Sequence, residues 1–143
     1  MIAYSRPFWP LFMHVLGAMT LVGAMLVVAT VSIAARRRPE LSVLRRSALV
    51  TLLAVAIPSY VVMRICAQWI YSKEGSWPND PTWIGIGFGV ADFGLLVLLA
   101  TTGCAYWWVR SARAAAGGVV AALASVYLAL LALAWLAMSG KWG

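Results

Sequence analysis

Four long apolar stretches constrain this chain more than any other feature of its sequence. They run approximately over residues 8–35, 47–71, 84–109 and 118–138. The hydrocarbon core of a bilayer is roughly 30 Å thick, and an α-helix needs about 20 apolar residues to cross it. Each stretch meets that requirement, and none alternates apolar and polar residues as the strands of a transmembrane barrel do. The sequence therefore predicts an all-α, polytopic membrane protein with four spans.

The composition and the short connections indicate one domain. Of the 143 residues, 64% are hydrophobic and only 10% are charged, which is typical of a membrane protein. No linker or change in composition divides the chain, so residues 1–143 are predicted to form a single four-helix transmembrane domain. Because short loops make consecutive helices antiparallel neighbours, the expected fold is an antiparallel four-transmembrane-helix bundle.

The basic residues are concentrated in two of the predicted connections. Seven of the eleven Lys and Arg residues lie in the first and third connections: Arg36, Arg37, Arg38, Arg45, Arg46, Arg110 and Arg113. Loops rich in Lys and Arg stay in the cytoplasm, so this distribution predicts that both termini are outside. We interpret these clusters as positive-inside topology signals next to the lipid bilayer, and not as a nucleic-acid site. Contact with anionic lipids is a secondary role for them.

Three ionisable residues fall inside the predicted spans: His14, Arg64 and Asp92. At 1.5 Å of rise per residue they lie roughly 9, 10 and 12 Å below the outer boundary. A lone Arg or Asp at the centre of a membrane helix costs about 2.5 to 3.5 kcal/mol on insertion scales. Since the second and third spans are consecutive, we expect Arg64 and Asp92 to form an intramembrane ion pair, with His14 at the same level.

Helical spacing extends the polar surface around Arg64. Tyr60, Arg64, Gln68 and Tyr71 recur at steps of four, four and three residues, so they share one face of the second span. We expect this face to point into the bundle. Tyr60 and Gln68 are therefore further candidates for binding a ligand or relaying a proton.

Small residues near the ionisable ones predict close helix packing. Gly17 and Ala18 lie on the first span, and Gly85 and Gly89 lie four residues apart on the third. Small residues at such spacing let a neighbouring backbone approach closely. Because the second glycine pair shares its side of the helix with Asp92, the pattern is consistent either with a cavity that opens outward or with a tight seam.

The candidate residues support binding or proton transfer better than catalysis. Histidine relays protons, and the Arg64 and Asp92 pair would supply fixed charges beside it. In a structural interpretation the same three residues only fix helix register. One histidine and the distant thiols of Cys66 and Cys104 do not complete a tetrahedral metal site in a monomer, and no nucleophile and base fall at one depth. We therefore predict no metal site and no enzyme.

The segment MHVLGAMTLVGAM, residues 13–25, resembles the first helix of a group of small bacterial four-helix integral membrane proteins of unknown function, loosely akin to the copper-resistance D type membrane domains. In that group the first helix similarly begins with a histidine followed by small and apolar residues. The length and the four-span layout also agree over nearly the whole chain. The resemblance implies a protein of the bacterial inner membrane that takes part in metal or haem handling.

Three functional hypotheses follow from the sequence. The leading one is a non-enzymatic, multi-pass protein of the bacterial inner membrane whose outward-side polar site binds a small ligand or relays protons. The second is a structural or assembly subunit of a larger membrane complex, or a homo-oligomer, that docks through the glycines of the third span and through exposed tryptophans. The third is a dimeric haem protein, in which His14 binds iron together with a methionine or with the second copy of His14.

Overall fold

The computed structural model describes residues 8–38, 40, 42–74 and 81–140, and nearly all of these residues are helical. Four helical stretches are long and apolar enough to cross a membrane, which confirms the prediction of an all-α chain of that kind. The elements are α1 (Phe8–Arg37), α2 (Ser42–Thr51), a π-helical segment (Leu52–Ala56), α3 (Ile57–Glu74), α4 (Thr82–Ser111) and α5 (Ala114–Gly140). The segments α2, π and α3 together form the second span, Ser42–Lys73.

Pro58 explains why the second span is not uniformly α-helical. A proline has no amide hydrogen, so the carbonyl of Ala54 loses its usual partner four residues ahead. The structure accommodates this loss with the π-helical segment, in which the amide of Ile57 donates to the carbonyl of Leu52, five residues back. Single π turns are rare inside α-helices, and many of those that occur lie at functional sites.

The spans do not pack equally with all their neighbours. α1 contacts the second span on one side and α5 on the other, and α4 packs along α5. The second and third spans touch mainly through α2 and α4, whereas α3 and α4 have few backbone contacts. The second and third spans are therefore packed less closely than the other two consecutive pairs, and α3 and α4 diverge toward the connection that joins them.

The core consists of apolar side chains from every span, while many large apolar side chains stay exposed. Leu21, Met25, Leu52 and Leu98 are fully buried. The exposed set includes Trp9, Met19, Leu96 and Trp135. In water such a surface would be an aggregation hazard, but on membrane-length helices it is the surface that lipid covers. The four helices thus indicate a multi-pass membrane protein.

Two buried tyrosines differ in whether their hydroxyl group has a partner. Tyr127 is fully buried, and within the described part of the chain its hydroxyl has no hydrogen-bond partner. Tyr60 is also buried, but its hydroxyl donates to the carbonyl oxygen of Ala91 at 3.0 Å. An unpartnered buried hydroxyl costs free energy, whereas a bonded one contributes to stability.

Removal of each hydroxyl should therefore change stability in opposite directions. We expect Tyr127→Phe to raise the free energy of unfolding by about 1 kcal/mol and Tyr60→Phe to lower it by about 1 kcal/mol. Equilibrium unfolding of the purified variants in mixed micelles measures both changes. A loss of stability in Tyr127→Phe would show that this hydroxyl is hydrogen-bonded in the folded protein.

Candidate functional site

Arg64 on α3 and Asp92 on α4 lie in contact. Arg64 Nη2 donates to Asp92 Oδ1 at 3.3 Å. This distance is longer than the 2.7 to 2.9 Å of a strong charge-assisted bond, and it engages one carboxylate oxygen. The Arg64 side chain is 28% exposed and the Asp92 side chain is 67% exposed. Asp92 is therefore the more exposed member of the pair.

Two further contacts hold the guanidinium of Arg64. Nη1 donates to Oε1 of Gln68 at 3.1 Å, one turn further along α3. The guanidinium carbon lies 4.8 Å from the centre of the Phe88 ring, which is within range of a cation–π interaction. Arg64 would thus keep two favourable contacts even if Asp92 released it.

The predicted polar stripe on the second span faces α4. Tyr60 donates to the carbonyl of Ala91, the residue before Asp92, and ties the two helices together. At the other end of the stripe, the Tyr71 ring packs edge-on against Phe88, with 5.5 Å between ring centres. Because Tyr60 is buried, it acts here as a structural tie rather than as an accessible binding group.

An open cleft of about 640 Å³ lies between the end of α3 and the start of α4. Gly85 faces open space there, since a Cβ atom built on it would meet no atom within 4 Å. Two of the lining residues, Gln68 and Phe88, also contact Arg64, so the cleft borders the ion pair. The complete lining is Gln68, Tyr71, Pro81, Thr82, Ile84, Gly85, Ile86 and Phe88. Of the two alternatives that the sequence left open, the structure contains a cavity, which opens at the end of the molecule where α3 ends and α4 begins.

Most of the cleft residues were not among the candidates from the sequence. Phe88 carried a usable signal, because it lies four residues before Asp92 and three after Gly85 and so shares their side of the helix. Pro81 and Thr82 carried none, since they belong to the cleft only because α3 and α4 diverge there.

His14 does not join this pair. Its Nδ1 lies 2.9 Å from the carbonyl oxygen of Met63, so Nδ1 carries a hydrogen and donates it. In a neutral ring Nε2 then keeps the lone pair. Within the described residues, no side-chain bond of His14 reaches Arg64 or Asp92. The imidazole belongs instead to the contact between α1 and α3.

The two contacts use neighbouring faces of α3. The first turns of α1 meet Ser59 and Met63, whereas α4 meets Tyr60 and Arg64. Successive residues on a helix are about 100° apart, so equal depth in the membrane did not bring the imidazole to the ion pair. The predicted three-residue site is therefore two separate contacts.

Gly17 and Ala18 lie where α1 packs on the rest of the protein. A Cβ built on Gly17 would lie 3.0 Å from the carbonyl oxygen of Ser59 and 3.1 Å from the amide nitrogen of Met63. The backbones of α1 and α3 approach closely here, as the sequence pattern predicted. Ala18, half-buried, packs at the edge of the core.

Gly85 and Gly89 do not pack against another described helix. A Cβ on either one would have no neighbour within 4 Å. The close approach to α5 occurs on the other side of α4, where Gly94 leaves room for the ring of Tyr127. The four-residue spacing thus identified a shared face of α4 but not the face that α5 covers.

The described residues contain no group of three or more His, Cys, Asp or Glu side chains that could hold a metal ion. Cys66 and Cys104 are free and half-buried. The chemistry open to the site is therefore that of one ion pair, one amide and two aromatic rings beside a cleft.

The resemblance of residues 13–25 to the small four-helix membrane proteins stays a prediction from the sequence. The chain matches no protein-family model, no curated protein and no solved structure.

Proposed function

We propose that this chain is a non-enzymatic membrane protein that binds a small ligand, or takes up a proton, in the cleft between α3 and α4. One observation carries the proposal: the Asp92 side chain is 67% exposed although it lies ten residues beyond Thr82, about 15 Å along an apolar helix. A carboxylate so placed is expensive unless a cation, a proton or a polar ligand compensates it. Arg64 compensates part of this negative charge, because its guanidinium contacts one of the two carboxylate oxygens of Asp92.

A few residues form the proposed site, and each has a distinct role. Arg64 is a fixed positive charge, held by Gln68 and Phe88. Asp92 is its counter-ion and the group that meets the ligand or proton. Phe88 and Tyr71 form an aromatic wall of the cleft. A purely structural pair would be expected to sit in a tight seam, so the open cleft favours binding.

The proposal places the cleft on the outer side of a bacterial inner membrane. It assumes an antiparallel bundle with both termini outside, and the contacts between the last two spans support that arrangement: Trp108 meets Gly117, while Tyr127 meets Gly94. Later residues of α4 thus contact earlier residues of α5, as expected for two antiparallel helices. The exposed arginines at the opposite end from the cleft support the same orientation through the positive-inside rule.

Chemical labelling of Asp92 tests the proposed access. In vesicles with the outer side exposed, a water-soluble carbodiimide with a small amine should modify Asp92, and peptide mass spectrometry measures the extent. We expect Gly85→Leu to slow the labelling several-fold because the new side chain narrows the cleft that borders the ion pair. Gly103→Leu is the matched control, since Gly103 is exposed on the same helix, has no neighbour within 4 Å and lies outside the cleft lining.

Native mass spectrometry of the same proteins then tests binding. A bound small molecule should be present on the wild type and on Gly103→Leu and depleted on Gly85→Leu and Asp92→Asn. If only an apolar carbodiimide reacts, and Gly85→Leu reacts as fast as the wild type, the carboxylate faces lipid and the proposal fails.

A structural or assembly subunit, or a homo-oligomer, is the second candidate. It is favoured by the open glycine side of α4, where a Cβ on Gly85 or Gly89 would meet no atom of the described residues within 4 Å and Phe93 and Leu96 are exposed. The labelling experiment separates the two functions. A partner that covers this side excludes the reagent from Asp92 in membranes but not after solubilisation of the isolated chain.

A dimeric haem protein is the third candidate. The hydrogen bond of His14 Nδ1 to Met63 leaves Nε2 as the nitrogen with a lone pair, the one that would bind iron. Protein expressed with added haem would then show a Soret band that His14→Ala abolishes.

A further inference from the structure

The end of the molecule opposite the cleft is strongly basic. Six of its seven arginines are exposed and Arg45 is half-buried. Among the described residues of the two connections at this end, Glu40 is the single acidic side chain. Neither Arg36 nor Arg45 forms an ion pair within the described part of the chain, so their charges are available to an external anion.

Four helices meet at this end around a narrow crevice. It lies between Arg36 at the end of α1 and Arg45 on α2, and its apolar lining comes from Ala35, Trp108, Ala112 and Ala114. Trp108 is buried, and its ring packs where a side chain on Gly117 would otherwise lie. Ala35 is buried as well, so the two arginines flank a floor that is partly built from core residues.

The turn between α4 and α5 brings a helix N-terminus to the same place. Ala112 has a left-handed backbone conformation, with φ of 56°, which closes the turn within two residues of the start of α5. The guanidinium carbon of Arg36 lies 3.9 Å from the position of a Cβ on Gly118, so this side chain lies across the first turns of α5. The positive end of the helix dipole therefore adds to the charge of the arginine.

We propose that Arg36 and Arg45, at the mouth of this crevice, bind the phosphate of an anionic phospholipid headgroup. Arg36 and Arg45 hold the phosphate at the mouth of the crevice, since a guanidinium offers several N–H donors in a geometry that matches phosphate oxygens. Both arginines lie at the ends of membrane-length helices, the level at which headgroups lie. The proposal is independent of the function of the cleft at the other end.

Lipid-dependent thermal stability of the delipidated protein tests the site. Phosphatidylglycerol in mixed micelles should raise the unfolding temperature of the wild type, and phosphatidylcholine should not. Arg36→Gln with Arg45→Gln should weaken the phosphatidylglycerol response on the order of a hundredfold in concentration, since both arginines lose direct charge-assisted hydrogen bonds to the phosphate. Arg38→Gln with Arg46→Gln removes the same charge outside the crevice and should weaken the response clearly less, because these two arginines contribute only general attraction to the anionic surface.

Several results would overturn this site. Equal losses in the two double variants would mean diffuse attraction to the whole basic end. An equal response to phosphatidylcholine would remove the requirement for an anionic lipid, and a full response to inorganic phosphate at the same concentration would identify a soluble anion as the ligand. The double variant Arg36→Lys with Arg45→Lys tests the site if the glutamine variants do not fold. It keeps the net charge and should bind phosphatidylglycerol more weakly than the wild type. Unchanged binding would contradict the proposed guanidinium contacts.

Discussion

Gly17→Leu is expected to lower the free energy of unfolding by about 3 kcal/mol or to prevent folding, because overpacking at a rigid contact is costly. Even the Cβ atom would come within 3.0 Å of the Ser59 carbonyl oxygen and 3.1 Å of the Met63 amide nitrogen. These neighbours are backbone atoms of α3 and cannot rotate aside. The larger side chain must push α1 away from α3, which also breaks the bond between His14 and Met63.

Gly23→Leu is the matched control on the same helix. Gly23 is exposed, and a Cβ on it would meet no atom within 4 Å. We expect no loss of stability, and a gain of up to about 1 kcal/mol, because Leu has a higher helix propensity than Gly. Unfolding of both variants by denaturant in mixed micelles gives the comparison. Similar losses in the two variants would mean that the membrane environment, and not the contact with α3, governs the effect.

The second large effect is expected from the ion pair. Arg64→Ala and Asp92→Ala should each lower the free energy of unfolding by about 2 kcal/mol, because each leaves an uncompensated charge on a membrane-length helix. This value is smaller than for a fully buried pair, since the side chains are 28% and 67% exposed. Arg64 also retains Gln68 and Phe88 when Asp92 is removed.

The double variant should recover much of the loss, with a coupling free energy between 0.5 and about 3 kcal/mol in a double-mutant cycle. The four proteins are compared by equilibrium unfolding under one set of lipid conditions. Gln68→Ala is a useful reference, since it removes a neutral partner of Arg64 and leaves no lone charge. Strictly additive single effects would show that the two charges do not stabilise each other.

The helices could be predicted from the sequence because a single physical requirement dominates them. In lipid every backbone amide must be bonded within its own segment, so an apolar run of sufficient length has to be helical. The helices nevertheless extend beyond the apolar runs. α2 begins at Ser42 and α5 at Ala114, because arginines and alanines favour helix even outside the hydrocarbon.

The candidate site was only partly predictable, and the reason is rotational. Counting residues gives the depth of a side chain, which was enough to bring Arg64 and Asp92 to one level. It does not give the rotation of each helix about its own axis, so the sequence could not show that His14 lies against Met63. The same limit applies to Gly85, whose side of α4 faces the cleft and not α5.

The π-helical segment at Leu52–Ala56 has a consequence for how this protein can vary. A π turn holds about one residue more than an α turn, so it offsets the phase of everything beyond it by roughly 100°. The segment therefore sets the rotation of α3, which carries Arg64, relative to α2, which packs on α4. Insertion or deletion of one residue there would rotate α3 and point the guanidinium in another direction, while α2 keeps its contacts with α4. One-residue length changes in this segment would thus change which ligand the cleft can bind.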